Sequence, residues 1–320
     1  MLLDVINLST HFFTPRGILK AVDNVSFRVE NGETLALVGE SGSGKSVAAL
    51  SLLNLIPNPP GKITSGEIFF EGKDILKLSS EEIRKIRGNR IAMIFQEPMT
   101  SLNPVLTIGD QVMEPIIHHK GISKAETAQA CWQLLEKVHI PDPKMRAKSY
   151  PHMLSGGMKQ RSVIAMGLSC SPSLIIADEP TTALDVTIQA QLLELMKQLT
   201  RDMGTSMILI THDLGIVARY ADRVNVMYAG HIVEKASVKE LYANPGHPYT
   251  MALMASVPRI DHDFKKKLKP IQGNPPDLLN IPKGCAFHPR CNQKRNICME
   301  VSPKLKLMDN NHEIACWIYE

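Results

Sequence analysis

Short continuous apolar runs alternate with segments of helical period along most of the chain. Predicted strands cover residues 34–38, 91–95, 174–177, 206–211 and 224–228, and predicted helices cover residues 47–56, 107–140, 156–169 and 186–203. Because these strands lack an alternating polar face, we expect them to be buried on both sides. Buried strands that alternate with helices are typical of an α/β fold with a mainly parallel sheet.

The first part of the chain has a different pattern, dominated by short β segments. Strands are predicted at 2–8, 22–29 and 66–70, with a turn at 15–17. The dipeptide Asn31-Gly32 is a turn signal between the second strand and the run at 34–38. These opening strands are predicted to be antiparallel, so the domain is mixed.

The pattern changes again near residue 243, where prolines, a basic run and four cysteines follow. A boundary is therefore predicted within residues 245–260. The predicted organisation is a domain at 1–250 and a C-terminal extension at 251–320, with a helical subdomain at roughly 105–170 inside the first domain.

Composition limits the possible functional classes. The 320 residues are 44% hydrophobic and 21% charged with a formal charge of +4, which is ordinary for a globular protein. The sequence has no apolar run of about 20 residues and no signal peptide, so we expect a cytoplasmic protein that reaches a membrane only through a partner. The basic cluster at 264–269 is interpreted as a solvated linker face, and nucleic-acid binding is not expected.

The strongest chemical signal is the octapeptide GESGSGKS at 39–46, between a predicted strand and a predicted helix. This is the phosphate-loop pattern in its required context. The glycines let backbone N–H groups converge on an anion, Lys45 adds a positive charge, and Ser46 offers a hydroxyl to Mg²⁺. The alternative is a turn that merely connects strand to helix. The predicted phosphate contacts are Gly39, Ser41, Gly42, Ser43, Gly44, Lys45 and Ser46.

Four polar residues follow predicted buried strands, where ligand crevices open in parallel sheets. Asp178 is predicted to hold Mg²⁺, and Glu179 to orient or deprotonate the water that attacks the γ-phosphate. Gln96 could reach the metal or that water, and His212 could contact the γ-phosphate. The alternatives are two acids that cap the next helix and a structural histidine.

A second anion site is predicted at the sequence LSGGM, residues 154–158. Ser155 is a good helix N-cap, and Gly156 and Gly157 leave the first N–H groups of the helix uncovered. Spacing alone does not say whether this segment and the phosphate loop serve the same nucleotide.

Taken in order, these motifs resemble the ATP-binding subunits of ABC transporters over about 240 residues. The set comprises GESGSGKS, Gln96, LSGGM, LIIADEP at 174–180, ALD at 183–185 and Thr211-His212. The resemblance implies a P-loop ABC-type domain in which two copies close head to tail around ATP.

The same resemblance assigns roles to individual residues. ATP would lie between Lys45 of one chain and Ser155, Gly156 and Gly157 of another, with Asp185 across the interface. Gln96 would face a membrane subunit, and Glu179 would be the catalytic carboxylate. Phe12 is the position that best matches the aromatic ring that stacks on adenine, with Phe13 as the alternative and core packing as the simpler reading.

Finer details resemble the D-type ATPase of dipeptide and oligopeptide importers. They are Phe12 with TPRG at 14–17, Val47, QEPMTSLNP at 96–104, Met158 and NPGHPYT at 244–250. The implied partners are two membrane permease subunits, a second related ATPase subunit and an extracytoplasmic peptide-binding protein, with the chain peripheral on the cytoplasmic face. Nickel importers share much of the pattern. The rival class is a soluble ABC-type ATPase of translation or DNA repair.

The tail carries Cys285, Cys291, Cys298 and Cys316, whose clustering favours metal over disulfides in a cytoplasmic protein. The spacing lacks the paired cysteines of common zinc sites and suits a 4Fe–4S cluster, which some peptide-importer ATPases carry. The alternatives are zinc, which His288 or His312 could help to bind, and unliganded thiols. Cys131 and Cys170 are predicted to be small buried residues.

Overall fold

The computed structural model describes residues 1–96, 101–181, 185–256 and 270–320, and its strands form two sheets. The strands are β1 (Leu3–Thr14), β2 (Gly17–Val29), β3 (Thr34–Val38), β4 (Gly61–Phe70), β5 (Lys73–Asp74), β6 (Ile91–Ile94), β7 (Leu174–Asp178), β8 (Ser206–Thr211), β9 (Arg223–Tyr228), β10 (His231–Ser237), β11 (Lys306–Leu307) and β12 (Glu313–Ile314).

Helices cover the faces of the larger sheet and form a separate group in the middle of the chain. The α-helices are α1 (Lys45–Leu52), α2 (Ser80–Ile86), α3 (Ile108–Lys120), α4 (Lys124–Lys137), α5 (Pro143–Arg146), α6 (Gly156–Leu168), α7 (Val186–Asp202), α8 (Leu214–Tyr220), α9 (Val238–Ala243) and α10 (Pro248–Ala255). Short 3₁₀ helices lie at Ile75–Lys77, Pro151–Met153, His288–Arg290, Asn296–Met299, Asp309–Asn311 and Trp317–Tyr319. No helix in these described ranges is long and apolar enough to cross a membrane.

The larger sheet confirms the predicted parallel core. Its strand order is β11-β12-β10-β9-β3-β8-β7-β6. The five strands β9, β3, β8, β7 and β6 run parallel to one another, and β10 is antiparallel to β9. Every residue of β7 and β8 is buried, as expected for strands covered on both faces. The carboxyl ends of parallel strands meet at one edge, so the residues that follow β3, β6, β7 and β8 are brought to the same side.

The antiparallel subdomain has the order β2-β1-β4-β5. β1 and β2 are longer than predicted because β1 pairs with β2 on one side and β4 on the other, which extends its ladder to Thr14. The turn at Asn31-Gly32 is present, but it does not make a hairpin, since β2 and β3 belong to different sheets.

The helical subdomain contains α3, α4, α5 and α6, and three of these helices, α3, α4 and α6, share a hydrophobic cluster with β6, β7, β8 and α7. The helical pattern predicted for 107–140 is confirmed, and the structure divides it between two helices, α3 and α4. Gly121 ends α3 with a left-handed φ of 61°. Ser123 then begins α4 with a capping box that Glu126 completes.

The C-terminal segment, residues 270–320, adds two strands to the larger sheet, although it lies beyond the predicted domain boundary. β12 pairs antiparallel with β10, and β11 pairs with β12. The Glu234 carboxylate on β10, which is fully buried, accepts from Gly246 N at 2.7 Å and His247 N at 2.9 Å, and it contacts His312 Nε2 at 2.7 Å. The C-terminal segment thus completes an edge of the sheet that would otherwise be unpaired. The basic cluster at 264–269 lies outside the described residues.

Candidate nucleotide-binding site

The phosphate loop connects β3 to α1 and packs tightly against neighbouring backbone. A Cβ atom at Gly39 would lie 2.2 Å from the carbonyl oxygen of Met227. A Cβ atom at Gly44, where φ is +102°, would lie 2.2 Å from the carbonyl oxygen of Ala21. These two glycines are therefore required by the close approach of the loop to β2 and β9, besides any role in phosphate binding.

Lys45 is buried and is held by the loop that it belongs to. Its Nζ donates to Gly39 O at 2.8 Å, Glu40 O at 2.9 Å and Ser43 Oγ at 3.3 Å. Burial lowers the pKa of Lys45, and the negative charges of Glu179, Asp178 and Glu40 oppose that effect. The ammonium is therefore a buried charge with acidic groups close by.

Asp178 and Ser46 form a pair that fits a divalent cation. Burial raises the pKa of Asp178, and a hydrogen bond from the Ser46 side chain opposes that effect. Within the part of the chain that the structure describes, Asp178 Oδ1 is buried and has no hydrogen-bond partner. An orphaned carboxylate oxygen beside a hydroxyl is a donor set that suits Mg²⁺.

Glu179, Gln96 and His212 come together at the carboxyl ends of β7, β6 and β8. Gln96 Nε2 donates to Glu179 Oε2 at 2.8 Å, and His212 Nδ1 lies 3.0 Å from Glu179 Oε1. Because an ionised carboxylate only accepts, this contact assigns the proton to Nδ1 of His212. The side chain of Glu179 is 16% exposed and that of His212 is 65% exposed. The carboxylate is therefore oriented from both sides.

The backbone of Glu179 has an unusual conformation. Its φ is 45°, in the left-handed region, and its N–H donates to Ile210 O at 3.0 Å. Non-glycine residues held in this region are strained, and such positions cluster at functional sites. The conformation turns the chain immediately after β7, between Asp178 and Pro180.

The second predicted anion site lies on a different part of the molecule. Ser155 is exposed and caps α6, accepting from Met158 N at 3.4 Å. Helix α6 packs in the cluster of the helical subdomain, whereas α1 packs in the cluster of the antiparallel sheet. Gly157 lies near α7, since a Cβ atom there would be 3.4 Å from Ile188 Cγ2. The helix that begins after Ser155 and the helix that follows the phosphate loop therefore pack in different hydrophobic clusters.

Asp185 and Phe12 are placed by local contacts. Asp185 caps α7 by accepting from Ile188 N at 2.9 Å, and it is exposed; the rest of the ALD motif lies outside the described residues. Phe12 is half-buried on β1, and a Cβ atom at Gly61 would be 2.8 Å from Phe12 Cε1. Phe13 is 49% exposed. Packing against the segment after α1 is therefore one role of Phe12.

The four tail cysteines line one small cavity, together with His288. Backbone N–H groups donate to three of the sulfurs, from Phe287 to Cys285, from Gln293 to Cys291 and from Ile318 to Cys316. Arg295 N donates to Cys298 Sγ at 3.4 Å. Burial raises the pKa of Cys285 to about 11 and also raises those of Cys291 and Cys316.

The arrangement of the tail cysteines does not by itself support a metal centre. Within the described ranges, no group of three or more His, Cys, Asp or Glu side chains is positioned to hold a metal ion. His312, one alternative zinc ligand, is instead bound to Glu234. Cys131 and Cys170 are buried as predicted, and burial raises the pKa of Cys131 to about 11.

Comparison with known proteins agrees with this geometry along the whole chain. The family described as ABC transporter matches residues 22–182, and the family described as the oligopeptide/dipeptide transporter C-terminal region matches residues 233–298. The oligopeptide transport ATP-binding protein AppD of Bacillus subtilis is 51% identical over 319 residues, covering 100% of this chain and 97% of that protein. The dipeptide transport ATP-binding protein DppD of the same organism is 51% identical over 318 residues, covering 99% and 95%.

The chain belongs to the ATP-binding subunits of oligopeptide and dipeptide ABC transporters. It is an ABC ATPase, and its mixed α/β fold is that of the family. A dimeric structure of the ATP-binding cassette MJ0796, in a post-hydrolysis state with ADP and phosphate, has a TM-score of 0.66 and 28% identity, covering 74% of this chain and 98% of that one. The predicted resemblance and the predicted ATPase class are confirmed.

The sequence did not predict one contact of this ABC ATPase, which joins its C-terminal segment to the phosphate loop. Arg290 Nη1 lies 2.6 Å from Glu40 Oε2, and Arg290 Nη2 lies 3.0 Å from Glu40 Oε1. The two residues are 250 positions apart. No local pattern signals such a pair, because each residue alone looks like an ordinary charged surface position.

A cavity formed by described residues of this ABC ATPase lies away from the phosphate loop. It has a volume of about 580 Å³ and lies between β2, β10 and the C-terminal segment, with Asn24, His231 and Ala286 among its lining residues. A smaller cavity of about 240 Å³ is lined by Glu179 and His212. The chemistry of the side chains, rather than cavity size, therefore locates the nucleotide site.

Proposed function

We propose that the chain binds ATP on its phosphate loop and hydrolyses it with Glu179, driving uptake of dipeptides or oligopeptides through membrane subunits. The observation that carries the proposal is the Glu179 carboxylate, oriented by Gln96 at 2.8 Å and His212 at 3.0 Å on the same strand ends as Asp178. Because both oxygens of this carboxylate make a polar contact, the orientation of the side chain is fixed. Such orientation is what in-line attack of water on a phosphate requires.

Each residue has one task in the proposed reaction. Glu179 positions the attacking water and accepts its proton, and His212 lies where its exposed ring can meet the γ-phosphate. Lys45 exchanges its loop carbonyl partners for phosphate oxygens, which relieves the cost of a buried ammonium. Ser46 and Asp178, with Gln96, would hold Mg²⁺, which when bound neutralises charge that develops on the phosphates.

The site is proposed to be completed by a second, related subunit, or by a second copy of the chain in isolation. Ser155, Gly156 and Asp185 are exposed, and Ser155 and Gly156 open a helix that packs in a different cluster from α1. The N-terminus of α6 would then offer its N–H groups to the γ-phosphate of ATP bound on the partner. Phe12 would stack on the adenine.

The membrane partners are proposed to dock on the helical subdomain. Phe95, immediately before Gln96, is 44% exposed, and Val105, Leu106 and Ile117 are 75%, 39% and 51% exposed. Leu106 and Ile117 line one surface cavity, and exposed apolar side chains that lie together indicate an interaction surface. Two permease subunits would occupy this surface on the ATPase pair, at the cytoplasmic face of the membrane, and an extracytoplasmic binding protein would deliver the peptide.

Uptake by vesicles that contain the chain, its partner ATPase and two permeases tests the substrate. We expect ATP-dependent accumulation of labelled dipeptide or oligopeptide in the presence of the binding protein, and none with Lys45→Ala. The matched control is Lys85→Ala, which removes an exposed lysine paired to Glu81 at 3.1 Å and should transport normally. Accumulation of nickel without peptide would contradict peptide import, and ATPase activity that no permease stimulates would indicate a soluble ATPase.

The tail cysteines are proposed to bind a 4Fe–4S cluster. Four sulfurs line one cavity, and each accepts a backbone N–H, an arrangement that stabilises cluster thiolates. The cluster would order a short segment that has little core of its own.

Anaerobic purification tests the cluster directly. We expect a coloured protein with about four irons and an equal amount of acid-labile sulfide per chain, both lost with Cys291→Ser. Cys170→Ser is the control, because Cys170 is buried outside the tail and should leave the iron content unchanged. A colourless protein that retains zinc would support the zinc alternative, and one without metal would leave the thiols unliganded.

A further inference from the structure

The C-terminal segment contacts the phosphate loop through Arg290. Both terminal nitrogens of its guanidinium engage the Glu40 carboxylate, at 2.6 and 3.0 Å. The side chain of Arg290 is 5% exposed and that of Glu40 is 24% exposed. A two-pronged pair of this kind defines orientation as well as distance, and it is screened less by solvent than a surface ion pair.

The guanidinium is itself held in place. Its Nε donates to Gln272 O at 3.0 Å, and its Nη1 lies 3.3 Å from the hydroxyl of Tyr228. Its Cζ lies 5.9 Å from the ring centres of Tyr228 and Phe287. The pKa of Arg290 is raised, chiefly by the hydrogen bonds with Glu40. Arg290 is thus a fixed group against which the loop is placed.

Glu40 is bound through its backbone as well as its side chain. Its N–H donates to the Tyr249 hydroxyl at 2.8 Å, and its carbonyl accepts from Lys45 Nζ at 2.9 Å. Tyr249 is buried, and its ring centre lies 4.6 Å from that of Tyr228 and 5.4 Å from that of Phe287. Glu40, the second residue of the phosphate loop, is therefore held by three residues: Tyr249, Arg290 and Lys45.

We propose that Arg290 is a positioning residue for ATP: through Glu40 it holds the phosphate loop in the conformation that receives the nucleotide. A loop ordered in advance loses less conformational entropy when ligand binds. The inference rests on the proposed ATP site. It adds that tight ATP binding requires the C-terminal segment, because this segment carries Arg290. Because Arg290 precedes Cys291, which lines the cysteine cavity, the order of the tail and the order of the loop depend on one another.

Arg290→Gln in the full chain tests the proposal through KM and kcat for ATP. We expect KM to rise on the order of 10-fold, because the charge-assisted hydrogen bonds that hold Glu40 are lost, while kcat at saturating ATP changes less than about 3-fold. Arg290→Lys should recover part of the lost affinity for ATP. Its ammonium keeps the positive charge but cannot bind both oxygens of the Glu40 carboxylate in the same planar geometry. Fluorescence titration with a labelled ATP analogue should show the same shift in affinity.

The double variant separates positioning from general stability. Glu40→Gln should raise KM similarly, and Arg290→Gln added to Glu40→Gln should have no further effect. Arg223→Gln is the matched control, because it breaks an ion pair of 3.0 Å with Glu33 at the opposite end of β3 and β9; its KM should be that of the unmodified chain.

Two results would overturn the inference: an unchanged KM in both Arg290→Gln and Glu40→Gln, or equal effects of Arg290→Gln with and without Glu40. If Arg290→Gln does not fold, the KM of Glu40→Gln still tests the inference, because Glu40 is a partly exposed loop residue. The proposed ATP site is tested separately by Lys45→Ala. Normal ATP binding and hydrolysis by that variant would overturn the site itself, whatever the outcome at Arg290.

Discussion

Replacing Glu179 with Gln is expected to leave ATP binding intact and to lower the ATPase rate by on the order of 10²–10⁴-fold. The amide keeps the size of the side chain, but it cannot accept the proton of the attacking water. Glu179 is oriented by Gln96 at 2.8 Å and by His212 at 3.0 Å. Another acidic residue could replace it as the proton acceptor only if it made these two contacts. In the proposed pair of subunits, ATP that is bound and not hydrolysed should then hold the two subunits together.

The measurement combines turnover, nucleotide affinity and size-exclusion chromatography with ATP, using the chain together with its partner ATPase. Glu194→Gln is the control, since Glu194 forms an exposed ion pair with Arg219 at 3.2 Å on α7 and α8 and should hydrolyse ATP normally. Undiminished hydrolysis by Glu179→Gln would refute the assignment of the catalytic carboxylate. Loss of ATP binding would show that Glu179 shapes the site rather than acting in the reaction.

Replacing Glu234 with Ala should destabilise the protein by about 3–5 kcal/mol, because it leaves several buried hydrogen-bonding groups without a partner, at about 1–3 kcal/mol each. Glu234 is fully buried and binds Gly246 N, His247 N and His312 Nε2. Its loss leaves buried backbone donors without partners, and each such group carries its own desolvation cost. The same change loosens β12 from β10, since Glu234 is paired with Ile314 in that ladder.

Urea unfolding followed by circular dichroism checks this expectation. Glu313→Ala is the matched control, because Glu313 lies on the same pair of strands and forms an ion pair of 2.9 Å with Lys235, with 35% of its side chain exposed. That pair should contribute less than about 1 kcal/mol. Equal midpoints for Glu234→Ala and Glu313→Ala would contradict the structural role given to the buried carboxylate.

Local signals in the sequence were sufficient for most of the fold and for the parts of the site. The phosphate loop, Asp178 and Glu179 were predicted because each follows an apolar strand, and a strand end places its next residue at the edge of a sheet. The break between α3 and α4 was also encoded locally, in Gly121, Ser123 and Glu126. It was missed because the hydrophobic period continues across the break.

The sequence by itself determined the residue types that bind phosphate and the order of buried strands and helices, because turn glycines, caps and hydrophobic periods act over a few residues. Only the tertiary structure decided how Gln96, Glu179 and His212 orient one another. It also decided that β12 closes the sheet edge and that Arg290 clamps Glu40. These contacts join residues far apart in the chain, and packing of the whole molecule, which no local pattern records, brings them together.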